Sequence, residues 1–156
     1  MISELSEVML DALPNKTLQR NKCYRPSLNE AHHYYELINY YVLNSHLYKP
    51  VLMLRQCRGH WGICLGNTTR HDTGSYCEIH LSDKWYCKQW FITILAHEMI
   101  HQYQYDIIGP ETGKYNLMSH GPTFFQFREN LANHGIPLKT AHSTRKWFKY
   151  QNLFKC

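Results

Sequence analysis

The residues best suited to chemistry lie in one stretch, Leu95-Ala96-His97-Glu98-Met99-Ile100-His101, which contains the pattern HExxH. In a helix with about 3.6 residues per turn, side chains four positions apart lie on the same face. The imidazoles of His97 and His101 can therefore reach one tetrahedral Zn²⁺ ion while Glu98 lies beside them. The pattern predicts a metal site.

The alternative is that the motif binds nothing, because HExxH also occurs by chance in helices whose histidines are simply solvated. The flanking residues argue against this, since they are bulky and apolar: Trp90, Phe91, Ile94, Leu95 and Ile100. They predict a buried helix, in which uncompensated histidines and a glutamate would be costly. A role as metal ligands removes that cost.

A catalytic zinc ion usually has three protein ligands and one open position, so the motif needs a further ligand. The compact pattern, with a glycine and then a third histidine closely following the motif, fails because those positions hold Gln104 and Ile107. Glu129 is a candidate on a following helix, although it could equally be a solvated helix residue. His120 is another, because Gly121 allows close approach. Spacing alone favours His120 only modestly.

The elements before the motif are predicted from periodicity and turn residues. A short amphipathic helix covers residues 4–13 and ends at Pro14-Asn15, and the capping box of Ser27 and Glu30 starts a longer helix. Three short apolar runs, 51–54, 61–65 and 76–81, are separated by glycine-containing turns. They predict a small three-stranded antiparallel sheet, and with it an α+β fold.

After the motif, the helix should stop before Gly109-Pro110. Residues 106–119 lack periodicity and predict a loop that delivers His120-Gly121-Pro122. Pro122 is suited to the first turn of a last helix, which should run past Leu131 and stop at Gly135.

Composition places the chain among globular proteins of one domain, with 156 residues, 44% hydrophobic and 19% charged. The net charge of +5 permits a polyanionic partner without requiring one, because the basic residues are spread along the chain. Acidic residues at the start, and the lack of an apolar run of about 18 residues, predict a protein that is neither secreted nor membrane-bound.

The six cysteines are irregularly spaced. In a reducing cytosol or nucleus most of them are better interpreted as small buried apolar residues than as disulfides. Cys57, Cys64 and Cys77 could form a second metal site, although their spacing is poor.

HEMIH, an irregular loop and His120-Gly121-Pro122-x-Phe124 together resemble the SprT-like (Spartan-related) zinc metalloprotease family. Residues 57–62 and 77–82 resemble the two strands that precede the active-site helix of that family, and residues 135–137, His142 and Trp147 resemble its C-terminal part. The resemblance covers roughly residues 28 to 156, and its most specific point is His120-Gly121-Pro122.

The resemblance implies a minimal zincin fold with zinc on His97, His101 and His120 and with Glu98 as the general base. It implies one SprT-like domain, in which residues 1–26 form an N-terminal helical extension and residues 136–156 a basic aromatic tail. Peptide bonds would be hydrolysed with a zinc-activated water, in proteins bound or crosslinked to DNA. The expected setting is the cytoplasm of a bacterium or of a virus-infected cell.

Two departures from the family pattern are expected to matter. The loop between His101 and His120 looks longer than is usual in the family, which could alter access to the cleft. Many bacterial members continue into a cysteine-rich zinc ribbon, whereas this sequence ends at Cys156, so we expect a short stand-alone member without a ribbon contribution to DNA binding. The alternatives are a nucleic-acid-binding module with a structural zinc and no catalysis, or a non-proteolytic hydrolase.

Two further roles stay open. His142 or Tyr115 could stabilise an oxyanion, and a packing role is at least as well supported for each. The tail offers a basic aromatic surface for DNA, although its aromatic rings could equally pack on the core while its lysines are solvated. The residues of that surface are Arg145, Lys146, Trp147, Lys149 and Tyr150.

Overall fold

The computed structural model describes residues 1–10, 22, 24–66, 69–113 and 118–143. Two helices come first and are followed by three strands: α1 (Glu4–Leu10), α2 (Leu28–Tyr41), β1 (Val51–Arg55), β2 (Gly62–Gly66) and β3 (Cys77–Ser82). The second half is helical, with α3 (Lys88–Tyr103), a π-helical segment (Gln104–Ile108), α4 (Gly109–Thr112), α5 (Pro122–Phe125) and α6 (Arg128–Asn133). The predicted α+β class is confirmed.

The sheet is mixed, so the expectation of a purely antiparallel sheet is wrong. Its strand order is β1-β3-β2; β2 is antiparallel to β3, whereas β1 is parallel to it. The reason is burial: β3 buries Cys77, Ile79 and Leu81 completely and takes the centre, while Val51 on β1 and Leu65 on β2 are exposed. Residues 56–61 therefore pass the C-terminal end of β3 instead of forming a hairpin.

The capping box predicted for α2 is present. The Glu30 backbone N–H donates to Ser27 Oγ at 3.1 Å, and the Ser27 backbone N–H donates to Glu30 Oε1 at 3.3 Å. The helix packs against α1, α3 and β1 and buries Tyr35 and Ile38. The predicted first helix is present over Glu4–Leu10, and its expected end at Pro14-Asn15 lies outside the described residues.

Helix α3 is buried along almost its whole length. It packs against α2 on one side and against β2 and β3 on another. A helix enclosed in this way is apolar on most faces, which agrees with the apolar residues around the HExxH motif. None of the helices within the described ranges is both long enough and apolar enough to span a membrane.

The chain does not leave its helical path before Gly109-Pro110, contrary to the prediction. Regular α-helix ends at Tyr103, but the π-helical segment continues the path, and the Gly109 N–H donates to the Gln104 carbonyl five residues back. Pro110 is tolerated because the first turn of α4 needs no N–H there. Residues 106–112, predicted as loop, are therefore helical, and residues 114–117 lie outside the described part.

The predicted last helix is divided into α5 and α6 by a turn at Gln126 and Phe127. Pro122 does occupy the first turn of α5, as expected. Gly135 follows α6 with a φ of +78°, a left-handed conformation that favours glycine, so the predicted C-terminal stop is confirmed.

Candidate metal centre

Three imidazoles converge where α3 meets the turn that precedes α5. The Nε2 atom of His97 lies 3.2 Å from Nε2 of His101 and 3.3 Å from Nε2 of His120. A tetrahedral zinc site with zinc–nitrogen distances of about 2.0–2.1 Å separates its ligand nitrogens by about 3.3–3.4 Å. The structure thus brings together the three histidines named from the sequence, and this buried or half-buried group could hold a metal ion.

A buried phenylalanine holds the three rings in place. The ring of Phe124, which is completely buried, lies with its centroid 4.9 Å from His97, 4.8 Å from His101 and 4.9 Å from His120. Phe124 lies on α5, four residues after His120. The short segment that supplies the third imidazole therefore also supplies the apolar side chain that packs against all three imidazole rings. Phe124 was noted in the sequence as part of His-Gly-Pro-x-Phe, but its packing against the histidines was not predicted.

Burial favours the neutral form of His97 and of His101. It lowers the pKa of His97 to about 3, an effect increased by the neighbouring His101, His142 and His120 and opposed by the backbone of Lys139. Burial also lowers the pKa of His101, where the hydrogen bond with Gln104 acts in the opposite direction. Neutral imidazole is the form that binds a metal ion, so His97 and His101 need lose no proton to do so at neutral pH.

Glu98 is the other candidate residue on α3, and it is only 7% exposed. Burial raises its pKa to about 7, while the Cys64 backbone N–H lowers it by donating to the carboxylate. A carboxyl group that titrates near 7 can both accept and return a proton at neutral pH. Its pKa is thus suited to a general base.

Strand β2 approaches Glu98 closely because position 62 is glycine. A Cβ atom there would lie 3.0 Å from a methyl group of Ile94 and 3.3 Å from Glu98 Cγ, so any side chain would force the two elements apart. Within the described residues β2 pairs with β3 alone, which leaves its other edge without a strand partner.

His142 lies beside the three imidazoles without joining them. Its ring centroid is 5.2 Å from that of His97 and 6.0 Å from that of Trp90. Its Nε2 atom is buried without a hydrogen-bond partner in the described part of the chain. Burial, with Lys139 and His120 nearby, lowers its pKa to about 4.

Other residues considered as ligands lie elsewhere. Glu129 is exposed on α6 and is not part of the histidine group. Cys57, Cys64 and Cys77 are free thiols and form no metal-binding group among the described residues. Tyr115 lies outside the described part of the chain, as do all five residues of the predicted basic aromatic surface.

Sequence reasoning missed Gln104, whose side-chain oxygen lies 2.9 Å from His101 Nδ1. The signal was available, because Gln104 follows His101 by three positions and shares its helix face. In the sequence, Gln104 was noted only because it occupies the position where the compact zinc pattern has a glycine.

No protein-family model matches the chain, and no curated protein does. The candidate site therefore depends on its own geometry, three imidazole nitrogens at tetrahedral spacing and a buried carboxyl group on the same helix. The resemblance to the SprT-like family stays a prediction.

Proposed function

We propose that the protein is a zinc-dependent endopeptidase with a minimal zincin fold, in which His97, His101 and His120 bind zinc and Glu98 is the general base. The observation that supports this most is the convergence of three Nε2 atoms beside a buried glutamate. Neutral nitrogen ligands at this spacing suit Zn²⁺. Three protein ligands leave one position open, which is typical of catalytic zinc, whereas structural zinc usually has four.

The chemistry assigned to the chain itself is proton transfer. Bound zinc would polarise the scissile carbonyl and make water acidic enough to attack it near neutral pH. Glu98 accepts the proton of the attacking water and passes it to the amine that leaves. Burial holds its pKa close to 7 in the metal-free protein, and a bound cation would lower that pKa and favour the carboxylate, the form that accepts a proton.

The unpaired edge of β2 is the proposed support for the substrate. An extended peptide can add to an open strand edge through main-chain hydrogen bonds. Gly62 brings this strand against Glu98, so a peptide aligned along β2 would pass close to the general base.

Proteins bound or crosslinked to DNA are the proposed substrates. This choice depends on the resemblance to the SprT-like family, and the net charge of +5 permits a polyanionic partner.

The first test is cleavage of a small basic DNA-binding protein by the zinc-loaded chain, with and without single-stranded DNA. We expect cleavage by the unaltered protein and none by Glu98→Gln, which removes the base while keeping the three histidines. Glu129→Gln is the matched control, because Glu129 is exposed on α6 and should be dispensable.

The outcomes separate the possible functions. Cleavage that requires both Glu98 and DNA supports the whole proposal, and cleavage indifferent to DNA keeps the protease but rejects the DNA-bound substrate. If the unaltered protein binds DNA and cleaves nothing, the protease proposal is rejected in favour of a nucleic-acid-binding module with a structural zinc. Cleavage that persists in Glu98→Gln would reject Glu98 as the base.

A further inference from the structure

The side-chain amide of Gln104 joins two parts of the candidate metal centre. Its oxygen lies 2.9 Å from His101 Nδ1, while its nitrogen lies 3.0 Å from Thr123 Oγ1 and 3.5 Å from the Met118 carbonyl oxygen. Met118 and Thr123 flank His120 in the chain. Gln104 is itself buried, with 7% exposure, so these contacts have little competition from water.

The chemistry of these partners fixes which way the amide points. A carbonyl oxygen can only accept a hydrogen bond, so the NH₂ group of Gln104 must face Met118. The amide oxygen then faces His101 and can only accept, which places the proton of that imidazole on Nδ1. Nε2 of His101 is left unprotonated, with its lone pair directed towards His97.

The backbone holds Gln104 in place for this role. Gln104 is the first residue of the π-helical segment, whose Asp106 accepts hydrogen bonds from Ser75 Oγ at 2.6 Å and from the Tyr76 N–H at 2.9 Å. These bonds attach the segment to the chain just before β3. The amide is therefore positioned by contacts that do not involve the histidines.

We propose that Gln104 is a positioning residue that selects the Nδ1–H tautomer of His101 and so prepares Nε2 to bind the metal ion. The inference rests on the metal site of the proposed function and does not require proteolysis. In metal sites, partners of this kind fix the ring orientation and the tautomer of the ligand histidine.

The test compares three variants of the full chain. Gln104→Leu has similar size but no acceptor for His101. Gln104→Glu keeps an acceptor for His101 and should keep the tautomer, while it loses the donor that faces the Met118 carbonyl oxygen. Gln126→Leu is the control, because Gln126 is an exposed glutamine nearby, and among the described residues its side chain bonds within its own turn, to the Thr123 carbonyl.

Two readouts are used. The first is the ¹⁵N chemical shifts of the His101 ring in the metal-free protein, which report the tautomer. The second is Zn²⁺ affinity, measured by competition with a chromophoric chelator. We expect Gln104→Leu to populate both tautomers and to lose about 10–100-fold in Zn²⁺ affinity, the usual effect of removing such a partner. Gln104→Glu should retain the Nδ1–H form and bind at least as tightly as the unaltered chain, and Gln126→Leu should change neither readout.

The proposal is overturned if Gln104→Leu keeps a single Nδ1–H tautomer and full affinity. It is also overturned if Gln104→Glu is folded and behaves like Gln104→Leu. If Gln104→Leu does not fold, Gln104→Met takes its place, since a thioether is at most a weak acceptor. The tautomer readout needs neither metal nor activity, so failure of the protease assay leaves this test intact, while an unaltered chain that binds no Zn²⁺ would reject the metal site itself.

Discussion

The ionised form of Glu98 lowers the free energy of unfolding of the metal-free protein, because burial disfavours its charge. Burial raises its pKa from 4.5 to about 7, so between these two values the folded chain holds a proton that the unfolded chain releases. Stability falls with pH wherever the folded state binds more protons. The contribution of Glu98 to the free energy of unfolding should therefore be lost progressively as pH rises from 4.5 to about 7.

Replacing this carboxyl group by an amide, which does not ionise, should remove this dependence of the free energy of unfolding on pH. We expect Glu98→Gln to raise the free energy of unfolding of the metal-free protein above pH 7 by at most about 3 kcal/mol, since one pKa unit corresponds to about 1.36 kcal/mol. Below pH 4.5 the two proteins should have nearly equal stability, because both side chains are then neutral. Urea denaturation at the two pH values measures the difference. A Glu98→Gln protein that is equally stable or less stable above pH 7 would contradict the burial of this charge.

At the scale of elements, the π-helical segment is attached to a distant part of the chain. Its Asp106 is buried and accepts bonds from the hydroxyl of Ser75, the backbone of Tyr76 and the amide of Gln102, which donates at 3.0 Å. The Cys77 thiol also donates to Asp106, with Sγ 3.6 Å from Oδ1. All four partners are donors, so the site is matched to a carboxylate. The widened helical turn is thereby attached to the segment that enters β3.

Asp106→Asn should weaken this attachment, because the new NH₂ group faces donors instead of accepting from them. We expect a loss of about 1–3 kcal/mol in the free energy of unfolding, the usual cost of buried polar groups left unsatisfied. Urea denaturation measures it. Asp72→Asn is the matched control, since Asp72 is exposed, and equal stability of the two variants would show that the network contributes nothing.

The same elements show how far a sequence can be interpreted without a structure. The start of α2 was predictable because Ser27 and Glu30 form a local motif. The positions of the three strands were also predictable, since apolar runs and turn residues are local signals. The order of the strands was not, because the parallel pairing of β1 with β3 joins residues far apart in the sequence, such as Val51 and Glu78, and no local pattern indicates it.

The π-helical segment and the site illustrate the same limit. The contacts of Asp106 span about 30 positions, from Ser75 and Tyr76. They accompany the π-helical register of this segment, and no periodicity near Asp106 indicates them. His97, Glu98 and His101 were predictable from helix geometry, whereas the choice of His120 over Glu129 needed a longer motif.

At the scale of the whole molecule, the candidate metal centre connects the central helix to the C-terminal helices. His97 and His101 belong to α3, which contacts the sheet, while His120 precedes α5 and α6. An ion held by these histidines would link the two parts of the fold. A ligand that binds only the folded state stabilises it according to its concentration relative to its dissociation constant.

Metal removal should therefore lower stability. With free Zn²⁺ at about 100 times its dissociation constant, we expect about 2.7 kcal/mol of added stability, lost again on addition of a chelator. Thermal unfolding in Zn²⁺ and in chelator measures the effect. His120→Ala should lose most of it and Glu129→Ala should keep it; identical unfolding of the unaltered protein in both conditions would mean that the histidines bind no ion.

The π-helical turn also determines what the loss of a single residue from this part of the chain would do. A π turn contains one more residue than the α turn it replaces, since its hydrogen bonds reach five residues back instead of four. Loss of the codon for Tyr105 or Ile107 would return the helix to the α register, and His97 and His101 lie upstream of that change. A chain one residue shorter would keep these two ligands but would rotate the segment that leads to His120, the third member of the histidine group. The extra residue of this turn therefore sets the direction in which the chain leaves α3.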